Sequence, residues 1–573
     1  MRNNNAFNKR KFRYASTSAA LTALIIAAVV VFNIIFTALG TKFLWFIDLT
    51  PDFVFTLSDE CYDLIEFGDD SFENSSSPIE MVKKFRAENK AHNEANGLSE
   101  GDAGWRDENV MIQIIFCDEI DTIEASYYQK LVYTTAKELE VKFPEYIEIV
   151  NYNIVRNPSA VSKYKQTAND YIDPSSVILT CGSEYRRYDI RSFFTFDTAD
   201  AETPWAYNAE KKFAAGILAV TRAETPMACI VNNHGETLPS TTVISSLEDA
   251  GYDVTYLNLE KEEIPADCRL LVVCNPQSDF MVADGVSPVD EIKKLDNFLD
   301  ATNSLIVFMS PESPVLENFE EYLEEWGIVF DRYTDTVSGH TFPKIIADSS
   351  QSAVGDLSNY TIFSEYVTYG KGSEITEKMR DVTVPPPVVF KNAMPITVSP
   401  LYELTNHENA DDPSKSYNYA SYHIDGVNRS MFDVFVSSKN AVAYSNGKEV
   451  AQATENNPFK LMTVTREERQ TQESSYSAIS EASYVVACSS VDFISEAILS
   501  TSSYGNNDVI LSVCRSIGQE PVPVGLDLKP FADTSIDLIT SADATQYTVV
   551  LTVIPAITAL VCGIVIIVRR KNR

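Results

Sequence analysis

An α/β fold bounded by two membrane-spanning helices is the architecture that the sequence predicts, and three observations predict it. Two stretches, 17–39 and 547–568, contain no charged residue, and each is long enough to cross a hydrocarbon core of about 30 Å. Between them, short apolar runs alternate with helix-patterned segments from 208 to 326, the pattern of a parallel sheet covered on both faces. Upstream, a smaller unit beginning at 110 runs β-α-β-α-β-β.

The elements follow in chain order. Residues 1–16 form a basic tail: 1–13 hold five basic side chains and no acid. The first span, 17–39, is followed by a juxtamembrane segment over 40–109. There Ser58 is placed to cap a helix, and 69–109 is a polar excursion around a short helix. In the unit at 110–204, "VMIQIIFC" is a buried-strand run. Over 124–143, Tyr128, Leu131, Val132, Thr135, Leu139 and Phe143 share one helical face. "YIEIVNYNI" is a strand, "PSAVSKYKQ" a helix, and "SSVILTC" and "YRRYDI" are strands joined at Gly182. This order resembles a thioredoxin-like domain. "FCDEID" stands where a CxxC would lie, so thiol–disulfide exchange is not expected.

The unit at 205–335 opens with a helix over 208–222. It continues through "MACIVNN", a helix at 240–250, "DVTYLNL", "CRLLVVCNP", a helix at 288–300, "SLIVFMS" and a helix at 314–326. Class I amidotransferase-like and flavodoxin-like domains share this architecture. Over 336–480 the alternation is lost, and "VPPPVVF" with many Ser, Thr, Asn and Tyr predicts a β-rich insertion. "SYVVACSSVDFISEAIL" and "NNDVILSVCRSIG" return the chain to the α/β sheet over 481–530. A linker at 531–546, the second span at 547–568 and a basic tail at 569–573 complete it.

Basic residues flank the outer end of each span, so by the positive-inside rule both termini are cytoplasmic. The expected localisation is the cell membrane, multi-pass with two spans, and a large extracytoplasmic domain. The net charge of −35 argues against nucleic acid as a partner. The basic tails are topology signals first, and contacts to membrane lipid or to a cytoplasmic ATPase second. The nine cysteines are scattered without metal-type spacing and read as buried small hydrophobes. The acidic run at 317–326 reads as a solvated helix face.

The loop "NNHGE" places His234 and Glu236 between a strand and a helix, where ligands bind in open α/β sheets. Asp279 in "NPQSDF" lies at the end of another strand, as a ligand contact or as a cap. These three residues are the candidate ligand- or partner-binding positions. One His and one Glu two residues apart are too few for a metal site. Gly235 is expected to make a positive-φ turn that brings Glu236 to the next helix N-terminus, worth about 0.3–1 kcal/mol. No G-x-S-x-G or G-x-C-x-G elbow occurs, and Cys274 is followed by Asn and Pro. No P-loop occurs either. No catalytic residue, metal or cofactor is assigned.

Taken in order, "DLTPDFVFTLSDE", the thioredoxin-like unit, "NNHGE", "IPADCRLLVVCNPQSDF", "LDNFLDATNSLIVFMSP", "VVACSSVDFISE", "NNDVILSVCRSI" and a terminal span with a basic tail resemble the GldG family. That family is an auxiliary component of ABC-type transport systems first tied to gliding motility. The resemblance covers about 45–335 and 480–573. Its GHGE motif reads Asn233-His234-Gly235-Glu236 here, and the 69–109 excursion is long. It implies a non-catalytic membrane subunit partnered by an ABC permease and an ABC ATPase, whose outer domain binds a substrate or partner of unknown identity. Two alternatives from other classes stand beside it: a membrane-held Cys/His hydrolase or amidase, and a structural or sensory envelope scaffold.

Overall fold

The structure, a computed structural model, describes residues 24, 26–36, 39–40, 54, 56–531 and 569; within 56–531 it leaves out 70–75, 166–169, 197–201, 223–224, 238, 284–287, 354–355, 357, 383, 409–416, 425–426, 475–476, 502 and 527.

The first sheet has four strands: β1 (Ile112–Phe116), β2 (Ile147–Asn151), β3 (Val177–Cys181) and β4 (Glu184–Tyr188), in the order β2-β1-β3-β4. β1 and β2 are parallel, and β3 and β4 run antiparallel to their neighbours. Helices α1 (Asp59–Glu66) and α2 (Pro78–Asn96) precede it. Ser58 accepts from the Cys61 N–H and so caps α1, and Ser77 with Glu80 forms a capping box on α2. The helix expected at 124–143 is broken in two, α3 (Ile120–Ala125) and α4 (Tyr127–Lys142), by Ser126 in an extended conformation. The segment expected as a helix from 158 is a 3₁₀ helix, Pro158–Tyr164.

α5 (Ala209–Thr221) joins the two halves of the molecule. Every one of its residues is buried, and Phe213, Ala214, Ile217 and Val220 belong to the core of the first sheet. Its three consecutive charged residues are each paired. Glu210 meets Lys529 at 2.6 Å, Lys211 meets Asp508 at 2.6 Å, and Lys212 meets Asp249 at 2.7 Å. Buried charges are tolerated when paired in this way.

The main sheet contains β5 (Met227–Val231), β6 (Asp253–Leu257), β7 (Cys268–Cys274), β8 (Ser304–Phe308), β9 (Glu403–His407), β10 (Tyr417–Ile424), β11 (Val427–Val436), β12 (Lys460–Ser474) and β13 (Ser477–Cys488). Their order is β9-β10-β11-β12-β13-β8-β7-β5-β6. From β13 through β6 neighbouring strands are parallel; from β13 through β9 they are antiparallel. The β-rich segment is thus an antiparallel extension of the parallel sheet.

Alternation sorts each parallel strand's side chains to two faces. Ala228, Ile230, Leu270, Val272, Ile306 and Val486 pack on one face with α6 (Thr241–Asp249) and α9 (Asn506–Gly518). Cys229, Val231, Leu271, Val273, Leu305 and Val485 pack on the other with α7 (Glu291–Asp300) and α8 (Glu317–Glu325). Both faces are covered, which explains why these strands are apolar throughout.

The two transmembrane helices are a correction. Among the described residues no helix is long and apolar enough to cross a membrane. Within 17–39 the structure describes 24, 26–36 and 39 alone. The second predicted span, 547–568, lies outside the described residues. Among the described residues the fold class is therefore mixed α/β, with no membrane-spanning helix. The multi-pass membrane localisation and the cytoplasmic placement of both termini, which rested on those spans, fall with them.

Candidate functional site

The carboxyl ends of β5 and β7 carry the residues singled out from the sequence. After β5, Asn232 and Asn233 lead to His234, and Gly235 turns the chain at φ 74. A Cβ at Gly235 would press on Gln277, because the loop after β7 lies directly against this turn. Gln277 and Ser278 donate their N–H groups to the His234 carbonyl at 2.7 and 3.0 Å.

Glu236 does not serve a helix N-terminus. α6 begins at Thr241, and the Glu236 carboxylate turns back instead. Its Oε2 accepts from the His234 N–H at 2.7 Å and its Oε1 lies 2.9 Å from His234 Nδ1. On the other side of the ring, His234 Nε2 lies 3.0 Å from Oε2 of Glu291, the first residue of α7. The same Glu291 oxygen accepts from Met281 N–H at 2.8 Å, and its Oε1 accepts from Asn233 Nδ2 at 2.8 Å. Phe280 stacks on the imidazole at 3.8 Å between ring centroids, and Phe319 stacks on Phe280 at 4.2 Å. The three titratable side chains are at most 3% exposed.

Burial alone would lower the His234 pKa. The hydrogen bonds and negative charges of Glu236 and Glu291 more than reverse this and raise it to about 9. Glu291 is also opposed by burial, yet its bonds to His234, Met281 and Asn233 hold it below its usual range. The network therefore assigns an imidazolium, with Nδ1–H donating to Glu236 and Nε2–H to Glu291. Neither ring nitrogen keeps a lone pair for a proton or a metal. Among the described residues, no group of three or more His, Cys, Asp or Glu is arranged to hold a metal ion.

Asp279 is joined to this cluster through Phe280 but does different work. Its Oδ2 accepts from Asn318 N–H at 2.8 Å and its Oδ1 from Phe319 N–H at 3.1 Å. It thereby caps α8, whose own N-cap position, Leu316, makes no side-chain cap bond. A carboxylate in that position satisfies orphan N–H groups and complements the helix dipole.

Sequence reasoning missed two groups. Glu291 lies 57 residues from His234, and no local pattern couples them; its only signal is an acid opening a helix-patterned run. Asn275, at φ 52, is the second. Its Nδ2 donates to Thr237 Oγ1 at 3.1 Å, and its Oδ1 accepts from Ser310 and Ser313 at 3.2 and 2.5 Å. It ties the loops after β5, β7 and β8 together. Cys274, at the end of β7, is fully buried, and burial with the Glu236 charge nearby pushes its thiol well above the usual range.

No protein-family model matches the chain, and no curated protein matches it. Among solved structures, the chain is similar to the N-terminal domain of mmIFT52, with 10% identity over 51% of this chain and 97% of that one, at a TM-score of 0.31. It is also similar to the cytoplasmic protein STM3548 from Salmonella typhimurium, with 11% identity over 49% of this chain and 97% of that one, at a TM-score of 0.20. Both TM-scores are too low to establish a shared fold.

Proposed function

We propose that this chain is a non-catalytic auxiliary subunit of an ABC-type transport system, which binds a partner or substrate beside an ABC ATPase and a permease. One observation supports the non-catalytic half. The histidine at the strand ends is buried and held by a carboxylate on each side, which favours its imidazolium form. A general base needs a free lone pair near working pH, and both ring nitrogens are already engaged by carboxylates here. The transport half is supported by the order of segments that resembles the GldG family. The NNHGE, NPQSDF and NNDVILSVCRSI segments form, respectively, the β5–α6 turn, the β7 loop and most of α9, which packs on one face of the same sheet.

A cysteine–histidine hydrolase is the reading that this geometry disfavours. It needs an imidazole nitrogen that faces the thiol and takes its proton, giving a thiolate–imidazolium pair; here both ring nitrogens face carboxylates, and Cys274 is held as the thiol.

The test is affinity purification of the tagged full-length chain from its own cell. Stoichiometric recovery of an ABC ATPase and a permease is expected, and recovery should survive His234→Gln if that variant folds. Recovery of neither protein above an untagged control sinks the transport reading.

A further inference from the structure

The opposite end of the parallel sheet, at the amino edge of β5, β7 and β8, holds a cavity of about 280 Å³. Arg222, just past α5, lines it. Its Nη1 donates to the Ala250 carbonyl at 2.9 Å and its Nη2 to the Pro521 carbonyl at 3.1 Å. Its Nε is buried without a partner. Two of five N–H groups are thus used, both on neutral carbonyls. Among the described residues no carboxylate forms an ion pair with it, whereas the buried Lys212 and Arg515 each have an aspartate.

The guanidinium is also seated. Gly251 stands beneath it at φ 91, and a Cβ there would overlap Nη1. Burial pulls the Arg222 pKa below its usual range; Glu520 opposes this and the nearby Arg186 adds to it. The guanidinium is half-buried, its Nε is buried without a partner, and its planar fork matches carboxylate and phosphate oxygens. Thr302 and Ser304 line the same cavity. The exposed Asp267, Glu520 and Arg269 also line the cavity.

We propose that this cavity binds a compact oxyanion, a carboxylate or a phosphate, through Arg222. The site is distinct from the His234 cluster and does not depend on the transport reading.

The experiment uses the full-length protein with sodium phosphate and, separately, sodium acetate, each against sodium chloride at matched ionic strength. Thermal unfolding and titration calorimetry are the readouts. A saturating rise in Tm of about 2 °C or more with one of the two anions is expected; which anion acts identifies the ligand as a phosphate or a carboxylate. Arg222→Met, which keeps the stem and removes the charge, abolishes the rise. Arg222→Lys, which keeps charge without the fork, weakens binding about tenfold or more and serves if the Met variant does not fold. No rise beyond chloride with either anion overturns the proposal. So does an undiminished rise in a folded Arg222 variant.

Discussion

His234 is the residue on which the carboxyl end of the sheet turns. It holds a positive charge between Glu236 and Glu291, and removing it leaves two buried carboxylates with no cation between them. His234→Ala is therefore expected to destabilise the fold by about 3–5 kcal/mol, measured as a lower urea midpoint. The pH dependence follows from the shifts. The folded pKa, about 9, lies above the ordinary 6.5. This contribution is fully present below pH 6.5 and is lost as pH rises through 9; it is on the order of 3 kcal/mol. Glu291 is shifted below its ordinary 4.5, so its contribution is full above 4.5 and is lost as pH falls through its lower folded value. The cluster is at full strength between about pH 4.5 and 6.5 and weakens on the alkaline side. Among the five histidines, one imidazole should titrate near pH 9 by NMR and vanish in His234→Ala. A histidine set titrating wholly below 7.5 or so contradicts this account.

Helix α8 shows how an element borrows what its own sequence lacks. Leu316 cannot cap it, and Asp279 does so from the loop after β7. Asp279→Ala is expected to cost about 1–2 kcal/mol, with faster amide exchange confined to the first turn of α8 and to Phe280. Asp279→Asn should recover most of the loss, since an amide oxygen still accepts; unchanged exchange in the Ala variant rejects the capping role. The same element marks the limit of sequence reading. The strands β5, β7 and β8 were legible because burial on both faces leaves unbroken apolar runs, and α4 through α8 were legible from apolar spacing. The break at Ser126 and the 3₁₀ turns at Pro158–Tyr164 were not, because tertiary packing overrides local pattern there. His234, Glu236 and Asp279 were singled out from loop position as binding candidates, yet the residues that hold them from other elements were not. Glu291, Asn318 and Phe319 are chosen by how helices dock on the sheet, which no local spacing encodes.

At the scale of the whole molecule, the β-rich segment is part of the core it was expected to interrupt. Antiparallel strands β12 and β13 continue directly from the parallel β8. Ile346, Ile362, Phe390, Val434, Phe435 and Leu461 share one core with Ile230 of β5 and Val272 of β7, and Met394, Ile396 and Met431 share the opposite core with Val273 and Leu305. Thr465 Oγ1 donates to the Trp326 carbonyl at 2.7 Å, and Arg429 pairs with Glu467 while lying 4.3 Å over the Trp326 ring. An inserted domain with its own core can be excised; an extension of a shared core cannot, because excision bares apolar surface on both faces at about 25 cal/mol per Å². Deleting 336–480 is therefore expected to abolish cooperative unfolding, leaving a product that binds a hydrophobic dye and lacks near-ultraviolet dichroism. In the intact chain, 205–530 should unfold in a single calorimetric transition that His234→Ala shifts as a whole. A deletion product with native-like dichroism and its own sharp transition overturns the shared core and makes the segment a separable module. That outcome would confine the effect of His234 to the parallel half of the sheet, so one pair of variants tests both the architecture and the reach of its central histidine.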